Sequence, residues 1–116
     1  MKEYRACAEA AVSIDYGDIL SVRQYNALSD RMQAIVVEIS SFGRSAVQEF
    51  SSILDIEPAA GWAAHQLVEL AELNSATRAR CFAVVEHMKE RAERSGRRTE
   101  AKGQEMWLAK WKAKWA

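Results

Sequence analysis

Apolar residues recur along this chain with the period of a helix, not of a strand. The clearest stretch lies between Ile19 and Ser41. There Tyr25, Leu28, Met32, Ile35, Val36 and Ile39 fall at i, i+3, i+7, i+10, i+11 and i+14. That spacing lines one helical face, and Arg23, Asn26, Asp30 and Gln33 occupy the opposite one. An Ala-rich helix is predicted before it, from about Lys2 to Ser13; Tyr16-Gly17 interrupts it and Asp18 is placed to cap the next. Gly43 follows the long helix as a C-terminal glycine does. A third, shorter helix from Arg44 to Leu54 would bury Ala46, Val47, Phe50 and Leu54.

The turn Asp55-Ile56-Glu57-Pro58 puts proline where a first helical turn tolerates it. The fourth helix then runs to about Leu73. Ala60, Ala63, Ala64, Leu67, Leu70 and Ala71 gather on its core side, while Trp62, Gln66, Glu69 and Leu73 align outward with His65 beside them. Asn74-Ser75 closes this helix and caps a fifth. Phe82, Val85, Met88 and Ala92 form the inner face of the fifth helix, widened by Cys81 and Val84. Ser95-Gly96-Arg97-Arg98 breaks the pattern, and Thr99 can cap a terminal helix. In that last helix Trp107, Trp111 and Trp115 stand four residues apart, with Leu108 beside them and Lys110, Lys112 and Lys114 on the flanks and back. The expectation is one all-α domain spanning residues 1–116, a compact stack of five or six antiparallel helices.

Composition agrees with this. One proline and five glycines in 116 residues leave room only for short connections. Charge adds an asymmetry that the zero net charge hides. Residues 1–73 hold five basic and eleven acidic residues, a net −6, and residues 74–116 hold eleven basic and five acidic, a net +6. Such polarity either steers a charged partner or is neutralised across the folded domain. Cys7 and Cys81 have no metal-ligand spacing and are expected as free thiols of a cytosolic protein. The N-terminal residues open a helix instead of a signal core, and no apolar run reaches membrane-spanning length.

Candidate chemistry is sparse. His65 and His87 lie on different helices, and there is no HExxH, glycine-rich phosphate loop or GxSxG. His65 and Glu69 stand at i, i+4 and could share a hydrogen bond, a weak basis for acid–base work. No catalytic residue, cofactor or metal site is predicted. The outward face of the fourth helix reads either as a binding hot spot anchored by Trp62 or as a second buried face beneath a neighbour. The terminal tryptophans fit a membrane-surface helix, a nucleic-acid stacking platform or the closing helix of the stack. Interleaved glutamates (Glu86, Glu90, Glu93, Glu100, Glu105) argue for the last. Trp111 is then expected in the core, Trp107 half-buried and Trp115 exposed.

Three segments together resemble a known family. Tyr25-Asn-Ala-Leu-Ser-Asp-Arg-Met-Gln-Ala-Ile35, Trp62-Ala-Ala-His-Gln-Leu67 and Glu105-Met-Trp-Leu-Ala-Lys-Trp111 are similar, in order and separation, to the small bacterial helical proteins grouped as "domain of unknown function 2019". The resemblance runs from about Ala8 to Trp111. It implies a HEAT-like helical array and solitary cytosolic proteins, many encoded beside polymorphic toxins. It therefore implies a non-enzymatic immunity protein that binds a cognate toxin and occludes its active site or substrate surface. Acidic Glu57, Glu69 and Glu72 would face a basic, nuclease-like toxin, and the Arg97-Arg98 end an acidic one.

Departures from the family pattern are a shorter Asp55–Gly61 turn without its arginine, a longer, more basic Lys89–Lys102 stretch, and Trp107 in place of a small polar residue. The expected partner-binding set is Glu57, Trp62, His65, Gln66, Glu69, Glu72, Leu73, Arg97, Arg98 and Trp107. Two other readings stay open. One is nucleic-acid binding through Arg91, Arg94, Arg97, Arg98 and the terminal lysines; the other is a homodimeric scaffold joined by its tryptophan stripe.

Overall fold

Small side chains decide how closely helices can meet, and in this chain they concentrate between Ala59 and Ala64. The computed structural model describes residues 2–12 and 19–115. Among these it contains α1 (Lys2–Val12), α2 (Ile19–Ser41), α3 (Arg44–Phe50), a 3-10 helix (Ser51–Asp55), α4 (Ala59–Leu70), α5 (Ser75–Arg94) and α6 (Arg98–Lys114). The architecture is an all-α helical stack. No helix among the described residues is long and apolar enough to cross a membrane.

The centre of the stack is α4, which packs against α1, α2, the 3-10 helix and α5. Ala59, Ala60, Gly61, Ala63, Ala64, Leu67 and Val68 are all buried. At Gly61 the approach of α5 is close enough that an added Cβ would stand 2.8 Å from Met88 Sδ and Cε. α1 is held from the other side by Tyr4, which is fully buried. Its ring meets Phe50 edge-on with centroids 5.2 Å apart, and its hydroxyl donates to Gln66 Oε1 at 2.8 Å. Met32, Ile35 and Val36 carry α2 into the same core, with Leu28 and Ile39 packed at its edge. The apolar stripe read from the sequence is the face that packs.

Terminators work as their chemistry requires. Gly43 takes φ +100° between α2 and α3, a left-handed conformation that costs a side chain and not a glycine. Asn74 Oδ1 accepts from the Thr77 backbone N–H at 2.8 Å and starts α5. Gln48 Oε1 then accepts from the Thr77 hydroxyl at 3.0 Å and from the Asn74 amide at 3.3 Å, fastening this corner to α3. The predicted interruption at Tyr16-Gly17 and the cap at Asp18 lie outside the described residues.

Four expectations need correction. The third helix stops at Phe50 and tightens into 3-10 geometry, where the Ser51 hydroxyl donates to the Gln48 carbonyl at 2.6 Å and draws on an acceptor near the helix end. α4 ends at Leu70, three residues early, because Ala71 is already extended. Leaving the helix rotates Leu73 inward, so it is buried, while Leu70, assigned to the core, is 38% exposed. Thr99 lies inside α6 and does not cap it; Arg97 holds the capping position without a side-chain bond to the helix backbone. Finally, Trp111 is half-buried at the rim and not in the core. α6 is covered broadly by α5 alone, so Ala101 and Leu108 supply its buried positions. Trp107 is half-buried and Trp115 is 45% exposed, with the Arg78 guanidinium 3.9 Å from its ring centroid.

The charged halves meet only in part. Arg80 reaches Asp55 at 3.4 Å and Arg91 reaches Glu57 at 3.8 Å across the division, but Arg31–Glu3 and Arg44–Glu72 pair within the acidic half. All are exposed and screened, and they orient helices more than they stabilise them.

This distribution of burial predicts an unequal mutational response. Leu67→Ala, at a fully buried position of α4, should lower the unfolding free energy by about 2–5 kcal/mol. Trp115→Ala should cost less than about 1 kcal/mol. Urea denaturation of the two variants checks the ranking, and equal losses would contradict it.

Candidate binding groove

Four elements cover α4, but one strip of it stays open. Its outward residues Trp62, His65 and Glu69 form the floor of a groove of about 760 Å³. α2 supplies one wall through Tyr25, Ser29 and Gln33, and the start of α6 the other through Arg97, Glu100 and Gln104. Glu57 and Arg91 also line it. The floor is positioned by helical periodicity, since residues three, four and seven apart share a face. The walls are positioned by the packing of α2 and α5 on the small-residue face behind.

Each floor residue is engaged. Trp62 is half-buried and stacks obliquely on Tyr25 with centroids 5.3 Å apart. His65 Nε2 lies 2.7 Å from Gln104 Oε1, which makes it the donor there, and its ring sits 4.3 Å from that of Trp107. Trp107 Nε1–H in turn donates to Glu69 Oε1 at 3.3 Å. The predicted His65–Glu69 pair does not form, because α6 reaches across and takes each partner separately. The Phe82 and Trp111 rings lie 6.0 and 6.3 Å from Trp107 and continue the aromatic cluster along α5 and α6.

The groove thus gathers Glu57, Trp62, His65, Gln66, Glu69 and Arg97 from the predicted set, with Trp107 adjoining it. Three others stand apart. Glu72 is exposed and pairs with Arg44 at 3.4 Å, Leu73 is buried in the core, and Arg98 is exposed at the start of α6 without lining the groove. Gln66 is also corrected: only 4% exposed, it turns inward to accept the Tyr4 hydroxyl and holds α1 in place. Tyr25, Glu100 and Gln104 line the groove but lie outside the expected set, and Arg91 was expected only in the nucleic-acid reading. Tyr25 belongs to the apolar stripe of α2 and reads as core, and nothing in the spacing of Gln104 shows that α6 crosses α4.

Electrostatically the groove is mixed. Arg97 donates to Glu100 at 2.6 Å and Arg91 pairs with Glu57. Burial holds the His65 imidazole below its ordinary value, although the Gln104 bond and the nearby Glu69 charge pull the other way. The ring is therefore neutral at pH 7. Burial pushes the Cys81 thiol up to about 12 and also raises Cys7, so neither is a ready nucleophile. Among the described residues no group of three or more His, Cys, Asp or Glu side chains is placed to hold a metal ion. What the arrangement offers is recognition: aromatic faces, amide and hydroxyl groups, and a carboxylate in an open cleft. Comparison with family models, curated proteins and solved structures gave no match.

The lowered His65 value has a definite sign. The unfolded chain binds the proton near pH 6.5, before the folded one does, so stability falls as pH drops below about 6.5. Thermal midpoints between pH 5 and 7.5 should decline toward acid more steeply in the native protein than in His65→Gln. Parallel curves would contradict the assignment.

Proposed function

We propose that this chain is a non-enzymatic binding protein, most concretely an immunity protein that neutralises a co-encoded antibacterial toxin by direct binding. The observation that carries the reading is the open strip of α4, where a half-buried tryptophan, a histidine and a carboxylate share one groove. Half-buried aromatics framed by polar groups are the usual anchors of a protein interface, because they bring large contact area and little conformational freedom to lose. The resemblance to the "domain of unknown function 2019" proteins supplies the toxin context and the cytoplasmic setting. The toxin would be inhibited by covering its active site or substrate surface.

The nucleic-acid reading draws less support from the geometry. Phosphate binding needs unpaired cations along one surface. Of that set Arg91, Arg97 and Lys112 are each paired with a glutamate and Lys110 and Lys114 lie near the Trp111 ring, which leaves Arg94 and Arg98 as the exposed arginines without an ion pair among the described residues. The tryptophan stripe already carries contacts from within the chain, Phe82 and His65 on Trp107 and Arg78 on Trp115, although Trp115 stays 45% exposed.

Co-expression with the product of the adjacent open reading frame tests the proposal. A stable complex and survival of cells carrying the toxin are expected, and Trp62→Ala should weaken the complex at least tenfold while the circular dichroism of the variant stays helical. No complex and no rescue would remove the reading.

A further inference from the structure

Counting charges around the groove leaves one carboxylate over. Glu57 is paired with Arg91 and Glu100 with Arg97, but Glu69 is paired with no cation among the described residues. The partner it has is neutral, the Trp107 indole N–H at 3.3 Å. Its charge is nonetheless felt inside the groove, since it acts on His65, one turn away on the same floor. The two cations that line the groove, Arg91 and Arg97, are already paired with Glu57 and Glu100, while Ser29, Gln33 and Gln104 are neutral and Tyr25 and Trp62 are aromatic.

We propose that Glu69 is the receiving carboxylate for an arginine side chain of the protein partner, seated in the groove with its guanidinium on the carboxylate and its stem across His65 toward Trp62. This rests on the binding-protein reading above and makes it specific. One feature favours guanidinium over ammonium: a carboxylate can take two parallel N–H bonds from its planar fork. The apolar surface of Trp62 suits the methylene stem of such a side chain. Charge complementarity is local, one cation for one unmatched anion, and does not depend on the net −6 of the first half of the chain.

The substitution that isolates the charge is Glu69→Gln, because the amide keeps an oxygen for the Trp107 indole and so leaves the α4–α6 contact intact. The probe is the blocked tripeptide Ac-Gly-Arg-Gly-NH2, with its citrulline counterpart as the neutral isostere. Nuclear magnetic resonance on the ¹⁵N-labelled full chain should show the Trp107 indole N–H moving saturably with the arginine peptide. The citrulline peptide and the Glu69→Gln protein should each bind at least tenfold more weakly, while the thermal midpoint of Glu69→Gln stays at that of the native protein. Equal shifts from both peptides, an unchanged Kd in Glu69→Gln, or shifts centred away from α4 would overturn the inference. The two proposals fail separately. A toxin complex that forms and keeps its affinity in Glu69→Gln sinks the arginine seat alone. Selective arginine binding without any toxin complex sinks the immunity reading and leaves the seat standing.

Discussion

Everything in this fold depends on the small-residue face of α4. Ala59, Ala60, Gly61, Ala63 and Ala64 let neighbouring helices approach a single helix closely, and Leu67 and Val68 fill the space where they converge. A bulkier α4 would hold its neighbours apart and leave voids between them, at a cost that grows with the volume left empty. The Tyr4–Gln66 bond shows how tightly this is specified. The one polar side chain among α4's buried residues finds its partner on α1, and no buried side-chain nitrogen or oxygen among the described residues is left unsatisfied.

The same constraint creates the groove. A helix covered by neighbours on most sides has only one strip left to show, and on α4 that strip carries Trp62, His65 and Glu69. α6 then decides how much of it is visible. It leans on α5 and touches α4 through side chains, His65 with Gln104 and Glu69 with Trp107, so it walls the groove without filling it. The tryptophans of α6 are accounted for by this arrangement. Trp107 joins the rim of the groove, Trp111 continues the cluster against the core edge, and Trp115 rests under Arg78.

Periodicity made the helices legible because packing on one face leaves a 3.6-residue imprint: Met32, Ile35 and Val36 are buried where that imprint places them. Asn74 and Gly43 were legible because capping and left-handed backbone have narrow chemical requirements. What escaped was set by position relative to other elements. Leu73 and Leu70 exchanged roles because α4 unwinds at Ala71, an end that alanine does not announce. Trp111 was overrated because the stripe says which face packs, not how many neighbours cover it. Trp62, His65 and Glu69 were recognised as an outward face, but Tyr25, Gln104 and Arg91 join them only through tertiary packing, of which a single sequence carries no direct sign.

The central claim, that α4 holds the stack together while α6 is its outer wall, is tested most directly by native-state amide hydrogen exchange. Amides of residues 63–68 should exchange only through global unfolding and be the slowest in the molecule, with those of residues 109–114 opening at a clearly lower free energy. Exchange of α4 as fast as that of the end of α6 would contradict it.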